Sequence, residues 1–319
     1  MEILKSRDSK RLKILFSTDF HGSESTFRKF LNAGKMYGPD VLVVGGDLTG
    51  KGLSPIIDLG GDKYSVQGKE VGKEGLEEAK KGIRNRGLYW VICDKNEWTH
   101  ISESQAATDE VFKQKKTEML KNWIELADER YGNTTIKIFV NLGNDDPEYL
   151  TDLFRLGHAM VRTEGDVVKM GDHEMISFGY VNPSPWHTPR ELPEEDIYPR
   201  LKKMAEKLSE PRSAIFNFHA PPYGTGLDMA PELTADLKPV ARGAEISMIH
   251  VGSKSVTKII EEYTPLIGLH GHIHEAKGFD KVGKTMVLNP GSEFSNGILH
   301  AALLILEKER IVGHQFIIG

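Results

Sequence analysis

Leu12-Lys-Ile-Leu-Phe-Ser-Thr-Asp-Phe-His21 is a short aliphatic run that breaks off into a carboxylate and an imidazole two residues apart. A run of this length, rich in β-branched and large apolar residues, reads as a buried strand. Four more stretches follow the same plan. Val41-Leu-Val-Val44 leads to Asp47, Ile136-Lys-Ile-Phe-Val140 to Asn144, Ala214-Ile-Phe216 to His219, and Leu266-Ile-Gly-Leu269 to His270, His272 and His274. Helical patterns lie between several of them, over residues 25–37 with Phe27, Phe30 and Leu31 on one face, and over 194–208 with Ile197, Leu201, Met204 and Leu208. Strand, helix, strand predicts an α/β fold, in which the carboxyl ends of neighbouring strands share one edge of a sheet and ligand sites form there. One Asp or His at a strand end is an ordinary loop cap. Five polar strand ends in one chain predict a shared site.

Composition agrees with a globular chain. The 319 residues are 39% hydrophobic and 27% charged, with a formal net charge of −5. That balance excludes whole-chain disorder and gives no global electrostatic footprint for nucleic acid. One cysteine, Cys93, excludes an internal disulfide and a Cys-rich zinc site. The N-terminal residues 1–11 are charged throughout, no signal peptide is read there, and no run reaches the ~20 apolar residues of a membrane span, so a cytoplasmic location is expected.

The whole chain, 1–319, is expected to form one domain, with 51–133 as a helical insertion beside its core. Within that span a Gly/Lys/Glu-rich stretch gives way to a long amphipathic pattern over about 107–131, where Val111, Phe112, Met119, Leu120, Trp123, Ile124 and Ala127 recur at helical spacing. Residues 285–288, 298–306 and 311–318 predict strands that close a sheet edge.

In chain order the polar blocks are Asp19-Phe-His21, Gly45-Gly-Asp47, Gly143-Asn144-Asp145-Asp146, Asn217-Phe-His219 and Gly271-His272-Ile-His274. This series resembles the calcineurin-like metallophosphoesterases, whose blocks run D-x-H, G-D, G-N, H and G-H-x-H. The resemblance implies a four-layer αββα sandwich of two mixed sheets flanked by helices, and a pair of divalent metal ions. It implies Asp19, His21, Asp47 and His274 around the first metal, and Asp47, Asn144, His219 and His272 around the second, with Asp47 bridging. Imidazole, amide and carboxylate together suit Mn, Fe, Zn, Co or Ni, Mn being the first expectation. The implied reaction is hydrolysis of a small phosphate ester by a metal-activated water, with a diester slightly favoured and a nucleotide among the expected substrates. Asp47, Asn144, Asp145 and His219 are the expected catalytic residues. Alternation would point His272 and His274 to opposite faces of a regular strand, so an irregular loop is expected, helped by Gly268 and Gly271.

One block departs from the family pattern. Asp145 stands where many members have a histidine that resembles a general acid, a role typically worth about 10²–10⁴-fold in rate. Asp145 itself, His250 and His187 are the candidates to replace it. The stretch Asn182-Pro-Ser-Pro-Trp-His-Thr-Pro-Arg190 reads either as a rigid loop at a pocket rim or as a plain connection. His270 is expected to pack, and Asp146 either orients a ligand or caps a turn.

Gly278-Phe-Asp-Lys-Val-Gly-Lys-Thr285 fits the Walker A expression letter for letter, but Met-Val-Leu and Asn-Pro-Gly follow it where that motif needs a helix. A β-turn at 280–283 is expected instead. Two further classes stay open. A nuclease of the same superfamily would need clustered cations, and the basic residues at 113–116 and near 200 are interleaved with acids and read as solvated helix faces. A non-catalytic interaction protein on the same fold would have lost ligands, and here each position holds a competent residue.

Overall fold

In the computed structural model, residues 11–243 and 245–319 are described. The charged N-terminal stretch read as no signal peptide lies outside them except for Arg11. Two six-stranded sheets form the centre. The first runs Arg310–Ile318, His300–Glu307, Leu12–Ser17, Val41–Val44, Lys137–Val140, Met160–Arg162. The second runs Gly278–Val282, Thr285–Asn289, Ile267–Leu269, Ile215–Phe218, His173–Phe178, Val167–Met170. In the first sheet Leu12–Ser17, Val41–Val44, Lys137–Val140 and Met160–Arg162 are parallel and the two C-terminal strands add antiparallel, and in the second the four inner strands are parallel with an antiparallel strand at each edge.

The apolar runs are continuous because both faces of the inner strands are covered. Ile14, Phe16, Val41 and Val43 point into the space between the sheets, where they meet Met175, Ile215, Ile267, Leu269 and Leu288. Leu15, Leu42 and Val44 point the other way, onto helices Glu24–Tyr37 and Gln105–Tyr131. On the far side, helices Glu194–Ala205 and Lys254–Tyr263 cover the second sheet through Ile197, Leu201, Val256, Ile259 and Ile260. This is the expected four-layer αββα sandwich.

The stretch 51–133, expected as a helical insertion, departs from expectation because it is not only helical. Residues 52–93 build a separate four-stranded sheet, ordered Lys69–Gly72, Lys63–Val66, Gly52–Gly60, Leu88–Cys93, with helix Lys73–Asn85 packing its Leu76 and Ile83 on Ile56 of the sheet. The long helix predicted near 107–131 runs Gln105–Tyr131 and belongs to the main core. Its Trp123 stacks on Phe27 with centroids 4.1 Å apart, and the Tyr131 hydroxyl donates to the Leu31 carbonyl at 2.6 Å. Its Lys116 is buried, against the solvated face expected for residues 113–116. The Walker-like stretch is an antiparallel hairpin whose turn falls at Gly283-Lys284, since Val282 pairs with Thr285. The turn thus lies two residues beyond the expected 280–283, where glycine supplies the φ of 59°. Among the described residues no helix is long and apolar enough to cross a membrane.

Candidate metal centre

All seven expected ligands leave strand ends on the same edge of the sandwich, and all converge. His21 Nε2 lies 2.9 Å from His274 Nε2, 3.5 Å from Asp47 Oδ2 and 3.8 Å from Asp19 Oδ1, while His274 Nε2 is 3.4 Å from Asp19 Oδ1. The second group shares Asp47. Its Oδ2 is 3.3 Å from His219 Nε2, which is 3.1 Å from Asn144 Oδ1, itself 2.8 Å from His272 Nδ1. Donor atoms held on one transition-metal ion by bonds of about 2.1 Å sit about 3 Å from one another. Two imidazole nitrogens facing each other at 2.9 Å, beside ionised carboxylates, are the arrangement that a cation would relieve. The residues present therefore fit two metal ions with Asp47 between them.

The charge states suit ligands. Burial pushes His21 down to about 3 and His272 to about 4, which leaves both neutral with lone pairs free. Against the cost of burial, the neighbouring histidines hold Asp19 and Asp47 well below the usual carboxylate range. His219 is the exception: burial opposes its proton, but Asp47 and Asp19 outweigh burial and lift it to about 9. A cation would displace that proton.

Local backbone aims these groups. Asp19, His21, Asp47 and His272 all have positive φ, at 57°, 42°, 52° and 68°. This conformation is rare for non-glycine residues and gathers at functional sites. For His272 it breaks the strand alternation as expected. Gly271 allows the close approach, since a Cβ there would lie 2.4 Å from Asp19 Oδ2, whereas Gly268 lies within strand Ile267–Leu269 and makes room for the His270 ring. His270 is a brace, with Nδ1 against the carbonyls of Phe218 at 2.8 Å and Ala220 at 3.0 Å. Asp146 caps: its carboxylate accepts from Leu48, Thr49 and Gly143 N–H at 2.8–2.9 Å and so ties the Asp47 loop to the Asn144 loop.

Asp145 donates its backbone N–H to Asp47 Oδ1 at 2.9 Å, and its side chain pairs with Lys51 Nζ at 2.5 Å. Burial, followed by the Asp47 charge, pushes its carboxyl up to about 7, with Lys51 opposing. His250 is engaged elsewhere, with Nδ1 2.8 Å from the buried Asp228, and His187 is solvent-exposed. Arg190 is not a rim cation. It is buried, with Nη2 2.5 Å from Glu164 Oε2, Nη1 donating to the Gly143 carbonyl at 3.4 Å, and its own N–H donating to the Asn144 carbonyl at 3.1 Å.

Several contributors escape a reading of the sequence. Besides Lys51, Lys116 reaches in from helix Gln105–Tyr131 to donate to the Asp145 carbonyl at 3.1 Å. Asn289 Nδ2 holds the histidine loop through the carbonyls of Gly271 and Ile273 at 3.2 and 2.8 Å, and Ser292 Oγ donates to the Asp19 carbonyl at 2.7 Å. The Asn-Pro-Gly at 289–291 is legible only as a turn, and Lys51 carries no signal beyond following Gly50.

No family model matches the chain. A stretch of 150 residues, 46% of the chain, is 35% identical to the uncharacterized protein MJ1162 of Methanocaldococcus jannaschii and spans 61% of that relative's length. Among solved structures, TT1561 of Thermus thermophilus superposes with a TM-score of 0.54 at 15% identity, covering 97% of this chain and 98% of that one. Another crystal structure gives 0.53 at 19% identity over 97% and 98%. The shared architecture thus extends over nearly the whole chain, and in this chain the five candidate ligand blocks lie at one edge of that four-layer fold.

Proposed function

We propose that the protein hydrolyses a phosphate ester with the help of two divalent metal ions held by Asp19, His21, Asp47, Asn144, His219, His272 and His274. The observation that carries this reading is the pair of donor clusters sharing Asp47 Oδ2, with neighbouring donor atoms mostly 2.8–3.5 Å apart. When bound, the metals supply a water-derived nucleophile at neutral pH and polarise the phosphoryl group. The chain's own part is positional and electrostatic. Two carboxylates, one amide and four imidazoles leave a pair of dications with net positive charge, which attracts an anionic ester. Asp47 fixes the spacing of the two positions, and the backbone strain at Asp19, His21, Asp47 and His272 is present before substrate arrives.

Lys51 and Asp145 are the groups beside the metals that can serve the departing oxygen. In the metal-free protein burial raises Asp145 to about 7, and its partner Lys51 brings a cation whose side chain is half exposed. The missing histidine favours esters whose leaving group needs little protonation, hence diesters or aryl esters, with Mn²⁺ as the first metal to test. The full −5 charge and the burial of Lys116 speak for a small substrate over a nucleic-acid backbone.

Metal-stripped protein reconstituted with Mn²⁺ is assayed on bis-p-nitrophenyl phosphate and p-nitrophenyl phosphate, with bound metal counted. Activity that requires about two metals per chain supports the mechanism, and the ratio of the two rates reports the diester preference. Absence of bound metal would overturn it.

A further inference from the structure

The stretch 182–190, which from sequence reads equally as a pocket rim or a plain connection, joins with the next residue, Glu191, in a chain of hydrogen bonds that leads to one candidate metal ligand. Asn144 Nδ2 donates to Thr188 Oγ1 at 3.0 Å, and Thr188 Oγ1 donates to Glu191 Oε1 at 2.8 Å. The same Glu191 carboxylate accepts from Thr188 N–H at 2.9 Å, from Ser184 Oγ at 2.6 Å and from Ser184 N–H at 3.1 Å. Next door, Arg190 N–H donates to the Asn144 carbonyl, and the Arg190 guanidinium is anchored on Glu164. The loop therefore holds both the side chain and the backbone of Asn144.

The directions of these bonds are decided by chemistry. A carboxylate only accepts, so the Thr188 hydroxyl must spend its one proton on Glu191. What remains on Thr188 Oγ1 toward Asn144 is a lone pair. A lone pair can meet only the amide nitrogen, so the amide oxygen is turned to the opposite side, where His219 Nε2 and His272 Nδ1 lie at 3.1 and 2.8 Å. An asparagine flipped about its last torsion would offer an NH₂ to the second metal position, and an NH₂ is no ligand. We propose that Thr188 and Glu191 are positioning residues that lock the Asn144 amide with its oxygen toward the second metal, and so set the affinity of that metal separately from the first. The proposal rests on the two-metal reading of the preceding section. Neither residue touches the reacting atoms.

Partners of this kind outside the ligand shell typically contribute about 10–100-fold in metal affinity. The test titrates metal-stripped wild type, Thr188→Val, Thr188→Ser, Asn144→Ala and the Asn144→Ala/Thr188→Val double variant with Mn²⁺ by calorimetry, with metal counted at saturation. Melting of each metal-free protein is recorded alongside. The expected result is that Thr188→Val weakens one of two sites by about 10–100-fold and leaves the other unchanged, that Thr188→Ser restores it, and that Thr188→Val adds nothing in the Asn144→Ala background. Two sites of wild-type affinity in Thr188→Val would overturn the proposal and leave the two-metal reading standing. Equal loss at both sites, or a lowered melting point not rescued by serine, would overturn it in favour of general loop support. No metal bound by wild type would overturn both readings.

Discussion

Asp47 is the residue on which the two halves of the site depend. Its Oδ2 faces His21 at 3.5 Å and His219 at 3.3 Å, while its Oδ1 accepts from the Asp145 backbone. Asp47→Asn keeps the shape and removes the charge, so it is expected to weaken both metals together and to abolish turnover; activity with full metal content in this variant would contradict the bridging role. Lys51→Ala removes a cation that touches Asp145 but no metal ligand. It is expected to leave metal content unchanged and lower kcat/KM by about 10–100-fold, the equivalent of the ~1.5–3 kcal/mol of a charge-assisted contact. The loss should be greater for an alkyl than for a nitrophenyl ester, which steady-state assays on the two would show. The candidate ligands were legible because each is a metal-competent residue within a few positions of the end of an apolar run. Their geometry was not: four sit at positive φ, and the usual sequence signal for that conformation, glycine, is ruled out by the need for an imidazole or a carboxylate.

At the scale of elements, helix Gln105–Tyr131 connects the small four-stranded sheet to the site. One face buries Leu120, Trp123, Ile124 and Ala127 against helix Glu24–Tyr37 and the first sheet, and a little earlier along the helix Lys116 supports the Asp145 loop. Trp123→Ala opens a cavity beside Phe27 and is expected to cost about 3–5 kcal/mol, seen as a lower urea midpoint with the m-value unchanged. Metal binding should persist in the absence of denaturant, because Trp123 touches no ligand. This helix was readable from its 3.6-residue period. The sheet before it was not, because two of its strands are only four residues long and carry the exposed Lys63, Lys69 and Glu70, which leaves little alternation to detect. The Thr188–Glu191 chain was hidden for another reason. Its partner Asn144 is 44 residues away from Thr188 and meets it only once both sheets are in place.

For the whole molecule, the candidate ligand set is split between layers. Asp19, His21, Asp47 and Asn144 follow strands of the first sheet, and His219, His272 and His274 follow strands of the second. Bound metals would therefore tie the two sheets together at their open edge, and a ligand that binds only the folded state adds stability by mass action, about 2.7 kcal/mol for one site at 100-fold excess over Kd. Chelation is expected to lower Tm by a few degrees. The size of that drop depends on pH in a direction set by His219, whose pKa rises from an ordinary 6.5 to about 9 on folding without metal. A raised histidine stabilises the metal-free protein fully below pH 6.5, and that contribution fades as pH climbs through 9. Asp145, raised to about 7, adds to the loss as pH rises toward that value, while His21 and His272, at about 3 and 4, stay neutral throughout this window. With metal bound, the His219 proton is already displaced, so that form does not share its loss. The gap in Tm between metal-loaded and chelated protein should thus widen from pH 6.5 to 9, and Mn²⁺ affinity should rise by up to about tenfold per pH unit over the same range. Melting curves with Mn²⁺ and with a chelator across this range check it, and a gap that stays constant would mean that His219 carries no proton for the metal to displace.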